Sequence, residues 1–243
     1  MAAEYDSIVN IDGAPHTITE AELARVSASF TPPSIAPSPA TVPSPSAPSD
    51  LLDTRYQRWL QQNVAAHKNP ALRIVTLSFK RPGYSPGDAT AEQLDLAAHL
   101  AEQFSAGEAR VTHDQNLVLP WVRSSDLPLL YQQAYQAGLA QSHIRLLTDM
   151  IACPGGDFCA LANARSLPIA SAITERYQDL DELHDLGEID LHISGCINSC
   201  GHHHSGHIGI LGVDKDGKEW YQITLGGADG SDLSGSAAAG KVI

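Results

Sequence analysis

The sequence predicts an α+β protein built as two α/β units in series, and three observations predict it. Between residues 72 and 138, β-rich and helix-periodic segments alternate as strand, helix, strand, helix. A second unit begins near Ile144, with a strand at 189–194 and a closing hairpin. Ahead of both, TPPSIAPSPATVPSPSAPSD at 31–50 is so rich in proline and serine that no core can form, and an extended linker is expected.

Each element has its own signal. Residues 1–30 read as a strand–turn–helix piece, with a turn at Asp12-Gly13 and a capping-box pattern at Thr19…Glu22. Residues 51–65 carry Leu52, Tyr56, Trp59 and Leu60 at helical spacing. LRIVTLSF at 72–79 reads as a strand ended by Arg81-Pro82-Gly83. Asp88 or Thr90 caps a helix with Leu94, Ala97, Ala101 and Phe104 on one face. After Gly107 a second strand, 109–119, leads to Trp121; Asp126 opens the next helix and Gly138 closes it. These elements, 51–143, form one sandwich of helices on a sheet. In the second unit, 144–243, a helical stretch after Cys159 is interrupted by Pro168. The hairpin is HIGILGV, a turn at 214–217, then EWYQITL. The last stretch is small and polar, and it ends on Val-Ile without completing a further element.

Composition narrows the function. Of 243 residues, 43% are hydrophobic, an ordinary value for a globular chain. Lys and Arg number 15 against 28 Asp and Glu, a formal charge of −13, which argues against a nucleic-acid partner. No apolar run is long enough to cross a bilayer, and MAAEYDSIVN lacks the basic and apolar regions of a signal peptide. A cytoplasmic protein with no membrane partner is the expectation. Cysteines in a reducing compartment are metal ligands, redox groups or buried apolar fillers more often than disulfides.

The four cysteines read C-x5-C, 36 residues, C-x3-C. On a straight helix the first pair, in CPGGDFC, would lie ~9 Å apart, too far for one cluster. Pro154-Gly155-Gly156 breaks that path, so a helix starting near Asp157 would carry Cys159 on its first turn, where the dipole favours a thiolate. The second pair, in GCINSCG, falls on one side of a helical turn. Four thiolates converging from two loops match a [4Fe–4S] cluster. Two alternatives stay open: two disulfides, and a tetrahedral zinc site, whose usual pairs are tighter than C-x5-C. His202, His203, His204 and His207 follow directly, as a polar loop beside the site or as a proton source.

CPGGDFCALANA, DLHISGCINSCGHHHSGHIGILGV and YQITLGG together resemble the iron–sulfur half of the siroheme-dependent nitrite and sulfite reductases. Upstream, GDATAEQLDLAAHLAEQFSAGEARVTHDQNLVL is similar to that family's ferredoxin-like half-domain. The resemblance covers about residues 70 to 230. It implies a ferredoxin-like α/β sandwich half-domain followed by an α/β domain binding siroheme and a [4Fe–4S] cluster. The implied reaction is the six-electron reduction of sulfite to sulfide or of nitrite to ammonia. Cys153, Cys159, Cys196 and Cys200 would be the cluster ligands, with Cys200 the thiolate shared with the siroheme iron. Electrons would come singly from a flavoprotein or ferredoxin. Asn198 is a candidate hydrogen-bond partner of cluster or cofactor, and Arg110, Gln115 and Asn116 are candidate siroheme neighbours.

The resemblance also implies an incomplete site. Siroheme is a polycarboxylate and its substrate an anion, yet residues 146–213 hold only Arg165 and Arg176 against nine acids. Burying those carboxylates without paired cations is prohibitive. Family members consist of two related halves, and the first supplies most of the gripping Arg and Lys residues. The chain therefore reads as the second half, a fragment or a split subunit, with 1–30 the remnant of a preceding domain and the first half as its partner. The competing readings are a stand-alone [4Fe–4S] electron carrier and a zinc-stapled structural domain.

Overall fold

The structure, a computed structural model, describes residues 19–31, 33–35, 54–229, 237–238 and 240–243. The chain divides into two units, Met1–Pro37 and Ser38–Ile243. The turn at Asp12-Gly13 and most of the 31–50 segment lie outside the described residues, as does Leu52. In the first unit, helix α1 (Glu20–Ala28) starts where expected, with Thr19 Oγ1 accepting from the Glu22 amide at 3.2 Å. The Glu22 carboxylate turns to Arg25, at 2.6 and 2.8 Å.

The second unit opens with a four-stranded antiparallel sheet in the order β1-β2-β4-β3. Its strands are β1 (Val64–Ala66), β2 (Leu72–Leu77), β3 (Arg110–Val111) and β4 (Leu117–Arg123), covered by helices α2 (Thr54–Asn63), α3 (Ala91–Phe104) and α4 (Leu127–Gln136). Trp59, Val75, Leu77, Leu100, Leu119 and Leu130 are fully buried at its centre. Thr90 caps α3 in a complete capping box with Gln93. The buried face of α3 is Ala97, Leu100, Ala101 and Phe104; Leu94, expected on that face, is half exposed.

Two expectations change here. The single strand at 109–119 is a hairpin, because Gln115 takes a left-handed conformation (φ 58°) and the Thr112 amide closes the turn on the Asn116 carbonyl at 2.9 Å. Asp126 makes no side-chain cap; a proline in the first turn of α4 starts that helix instead.

A five-stranded mixed sheet follows, ordered β11-β8-β7-β6-β5. Strands β5 (Ile151–Ala152), β6 (Leu191–Ser194) and β7 (Ile208–Lys215) run parallel. Strand β8 (Lys218–Leu225) returns antiparallel through a two-residue turn at Asp216-Gly217, with positive φ values of 58° and 72°. The turn is tighter than the 214–217 turn expected, because Asp214 and Lys215 still pair with β8. Strand β11 (Lys241–Val242) borders β8, and β9 (Ala228–Asp229) pairs with β10 (Ala237–Ala238). Pro168 starts helix α5 (Leu167–Arg176) rather than interrupting one. Helix α6 (Leu180–Leu186), absent from the sequence reading, is capped by Asp179. Leu146, Met150, Ala170, Leu183, Leu191, Ile193 and Ile210 form this layer's core. Among the described residues, no helix is long and apolar enough to cross a membrane.

Candidate functional site

Strands β5 and β6 lie side by side and parallel, with Ala152 opposite Ile193, so both release their chains at the same edge of the sheet. In sheets with parallel strands that carboxyl edge is where ligands bind. Cys153 is the first residue past β5, and Cys196 the second past β6.

Glycine lets the two loops meet. The Asn163 and Ala164 amides both donate to the Gly195 carbonyl, at 2.9 and 3.1 Å. The Gly195 amide donates to Cys153 Sγ at 3.0 Å, and Ser166 Oγ lies 3.5 Å from the same sulfur. A methyl group on Gly195 would stand 2.7 Å from both the Ala164 carbonyl oxygen and the Gly155 Cα. Gly155 itself (φ 60°) is packed against the Ser166 backbone. An amide aimed at sulfur is a lever on the potential of a cluster that the sulfur ligates.

The local geometry differs from the helical one expected. Cys159 follows a 3-10 turn (Gly155–Asp157), its amide bonded to the Gly155 carbonyl at 2.9 Å, and the next α-helix begins only at Leu167. A helix dipole therefore does not act on Cys159. Cys196 and Cys200 flank a β-turn, with the Ser199 amide on the Cys196 carbonyl at 3.1 Å and Ser199 left-handed (φ 57°). Cys196 is buried, Cys153 and Cys159 are half-buried, and Cys200 is exposed together with Asn198.

All four cysteines are free in this fold. Among the described residues, no three His, Cys, Asp or Glu side chains gather closely enough to hold a metal ion. A single zinc ion with ~2.3 Å bonds would need its four sulfurs within about 4 Å of one another. A four-iron cluster is larger and takes its thiolates from farther apart. An all-thiol donor set on two amide-rich loops fits such a cluster.

Around the cysteines, Phe158, Leu161 and Ile197 stand 81%, 72% and 82% exposed. Three large apolar side chains held out on the same two loops suit a flat macrocycle or a covering surface. The charges do not match a polycarboxylate. Arg165 is paired with Glu219 at 3.1 Å and Arg176 with Glu182 at 2.8 Å.

The histidine run mainly ties its own loop together. Ser199 Oγ lies 3.2 Å from His203 Nδ1 and 3.0 Å from His204 Nδ1, and His192 Nδ1 donates to the His202 carbonyl at 3.0 Å. His207 Nδ1 accepts from the Asp190 amide at 3.0 Å. Burial, with His204 and His192 nearby, lowers the His203 pKa and favours its neutral form.

Of the predicted siroheme neighbours, Arg110 pairs with Glu108 at 2.6 Å and lies over the Trp121 ring. Asn116 is buried, donating to Asp149 Oδ1 at 2.9 Å. Gln115 binds the backbone of Ala152, next to Cys153. The sequence reading missed the buried pair Lys80–Asp149 and the Gly195–Cys153 contact. The left-handed Gln115 had a faint signal in the polar turn Asp114-Gln115-Asn116; the two contacts had none.

Comparison with known proteins gives two family models in succession. Residues 75–137 match the nitrite/sulfite reductase ferredoxin-like half domain, and residues 145–241 match the nitrite and sulphite reductase 4Fe-4S domain. The chain is 33% identical over 201 residues to the chloroplastic ferredoxin–nitrite reductase of Zea mays, covering 76% of this chain and 33% of that protein. It is 33% identical over 134 residues to the sulfite reductase [NADPH] hemoprotein beta-component of Bacillus pumilus, covering 53% and 23%. The solved Mycobacterium tuberculosis NirA protein matches with a TM-score of 0.59 and 27% identity, over 75% of this chain and 33% of that one. The chain thus spans about a third of the length of the nitrite reductases it matches.

Proposed function

Because the chain belongs to the nitrite and sulfite reductase family, we propose that it is the iron–sulfur half of a siroheme-dependent reductase of nitrite or sulfite. Cys153, Cys159, Cys196 and Cys200 would hold the [4Fe–4S] cluster, and Cys200, the exposed one, would be the ligand available to the siroheme. The observation that carries this reading is the joining of the two cysteine loops through Gly195, whose amide meets the Cys153 sulfur. When bound, the cluster relays single electrons from a ferredoxin or flavoprotein, and siroheme supplies the iron that binds the anion. The reaction is then the six-electron reduction to ammonia or sulfide, in a cytoplasm whose reducing poise keeps the cysteines out of disulfides and available to iron.

The chain's own residues do three things in this scheme. The Gly195 amide orients the Cys153 sulfur, Phe158, Leu161 and Ile197 offer an apolar face, and Cys200 places a sulfur at the opening. Cations for the siroheme carboxylates come from a partner half, since Arg165 and Arg176 are spent on Glu219 and Glu182. That same pairing favours a second reading, a cluster-only electron carrier.

Anaerobic purification with an absorption spectrum and iron, sulfide and zinc analysis decides between them. The expected result is about four irons per chain, with siroheme bands appearing once a first half from the family is supplied in trans. A cluster that never acquires siroheme supports the carrier, and a colourless zinc protein overturns both.

A further inference from the structure

Strand β5 is the edge of its sheet, with β6 on one side only. On the other side the first layer of the fold reaches across. Gln115 Nε2 donates to the Ala152 carbonyl at 2.9 Å, and the Ala152 amide donates to Gln115 Oε1 at 3.0 Å. One side-chain amide thus makes the pair of bonds a further strand would make, at the residue directly before Cys153.

Three features hold Gln115 in place. Its own backbone is left-handed (φ 58°), a conformation a non-glycine residue adopts at some cost. Gly87 makes room for it, since a methyl group there would stand 2.9 Å from Gln115 Cβ. Next along the chain, Asn116 Nδ2 donates to the Asp149 carboxylate, which also holds Lys80 and the Arg145 backbone amide. The 112–116 turn therefore grips the chain entering the cysteine loop at both Asp149 and Ala152.

Cys153 is fixed from the opposite side as well. Its amide donates to the Ile193 carbonyl at 3.1 Å, and its sulfur receives the Gly195 amide. A lateral shift of β5 would take the sulfur out of reach of that amide, because the hydrogen bond at 3.0 Å leaves little slack. The geometry points to Gln115 as a positioning residue: its two bonds to Ala152 set the Cys153 sulfur against the Gly195 amide, and so tune a ligand of the cluster from the ferredoxin-like half. The inference rests on the cluster reading for its consequence, while its geometry concerns thiols alone.

The test compares Gln115→Ala and Gln115→Met, which keeps volume without polar atoms, with Thr90→Ala as a control for general loosening. In the full chain before cluster reconstitution, alkylation of each cysteine is timed by mass spectrometry. Cys153 is half-buried, so with every thiol ionised at alkaline pH its alkylation is set by local opening of the β5 edge. Losing roughly one net hydrogen bond there should speed it about fivefold in both variants, while Cys159 keeps its rate. Gln115→Glu retains the acceptor for the Ala152 amide and should give an intermediate rate. After reconstitution, the reduced cluster's electron paramagnetic resonance spectrum and midpoint potential should shift in the first two variants and not in the control. An unchanged Cys153 rate, or equal acceleration of all four cysteines, overturns the assignment. If Gln115→Ala does not fold, Gln115→Met and Gln115→Glu carry the same comparison. Chains that never take up iron would refute the cluster reading and leave the alkylation result to decide the positioning role.

Discussion

The Lys80 ammonium lies 2.7 Å from the Asp149 carboxylate, with the two side chains only 2% and 6% exposed. The same carboxylate accepts from Asn116 Nδ2 and from the Arg145 amide, each at 2.9 Å, and Lys80 also reaches the backbone carbonyls of Asp114 and Asp149. The pair joins the end of the first layer to the segment that enters β5. Breaking it by Lys80→Met leaves a buried carboxylate uncompensated and should cost about 3–5 kcal/mol. The double variant Lys80→Met, Asp149→Leu should recover part of that loss. Urea unfolding of the two variants checks it, and equal losses would contradict the pairing.

Gly195→Ala should separate the two cysteine loops. The added methyl meets backbone on both sides, the Ala164 carbonyl and Gly155, and neither can move as a side-chain tip would. The expected outcome is loss of bound iron with the first layer still folded, read by iron analysis beside circular dichroism. Gly217→Ala is the contrasting case: nothing lies near its Cβ, so only the left-handed backbone (φ 72°) is strained, at ~1 kcal/mol, and iron content should be unchanged.

His143 sets a pH limit on stability. Burial, opposed in part by Asp149 and aided by Lys80 and His184, lowers its pKa to about 4. Its ring nitrogens lie 2.7 Å from Ser78 Oγ and 2.8 Å from Thr148 Oγ1. The unfolded chain binds this proton near pH 6.5 and the folded chain only near 4. Stability is therefore complete above about 6.5 and falls as pH drops towards 4, by roughly 3 kcal/mol. His143→Gln, which does not titrate, should give a flatter urea midpoint between pH 7 and 4. Parallel profiles for the two proteins would rule this out.

Thr90→Ala should cost about 1 kcal/mol, because it removes the hydroxyl that caps α3 and leaves the Gln93 backbone amide without its acceptor. The thermal midpoint measures it. Thr19→Ala should change that midpoint far less, as α1 buries no residue of its own.

Local signals were legible where the physics is local. The caps at Thr19 and Thr90, the Asp216-Gly217 turn and the alternation of strands and helices depend on residues within a few positions of one another. The cysteine spacing with its glycines pointed to two loops that the fold brings together, inside the 145–241 stretch that matches the 4Fe-4S domain. Leu94 and the 109–119 segment misled for the opposite reason. Periodicity places Leu94 beside the core face but not which neighbour covers it, and a polar turn inside a β-rich run looks like strand until its partner is known.

The sequence by itself determined the ingredients: four thiols in two glycine-lined loops, two layers in order, and a chain poor in cations around those loops. Only the tertiary structure decided what those residues do to one another. Cys153 meets the Gly195 amide because β5 and β6 run parallel and end together, a pairing across 42 positions that no window of sequence contains. Asn116 turns inward to Asp149, and Gln115 to Ala152, because the first layer packs against the edge of the second. Hydrogen bonds of this kind are set by where backbones cross in space, and chain order alone does not specify that crossing.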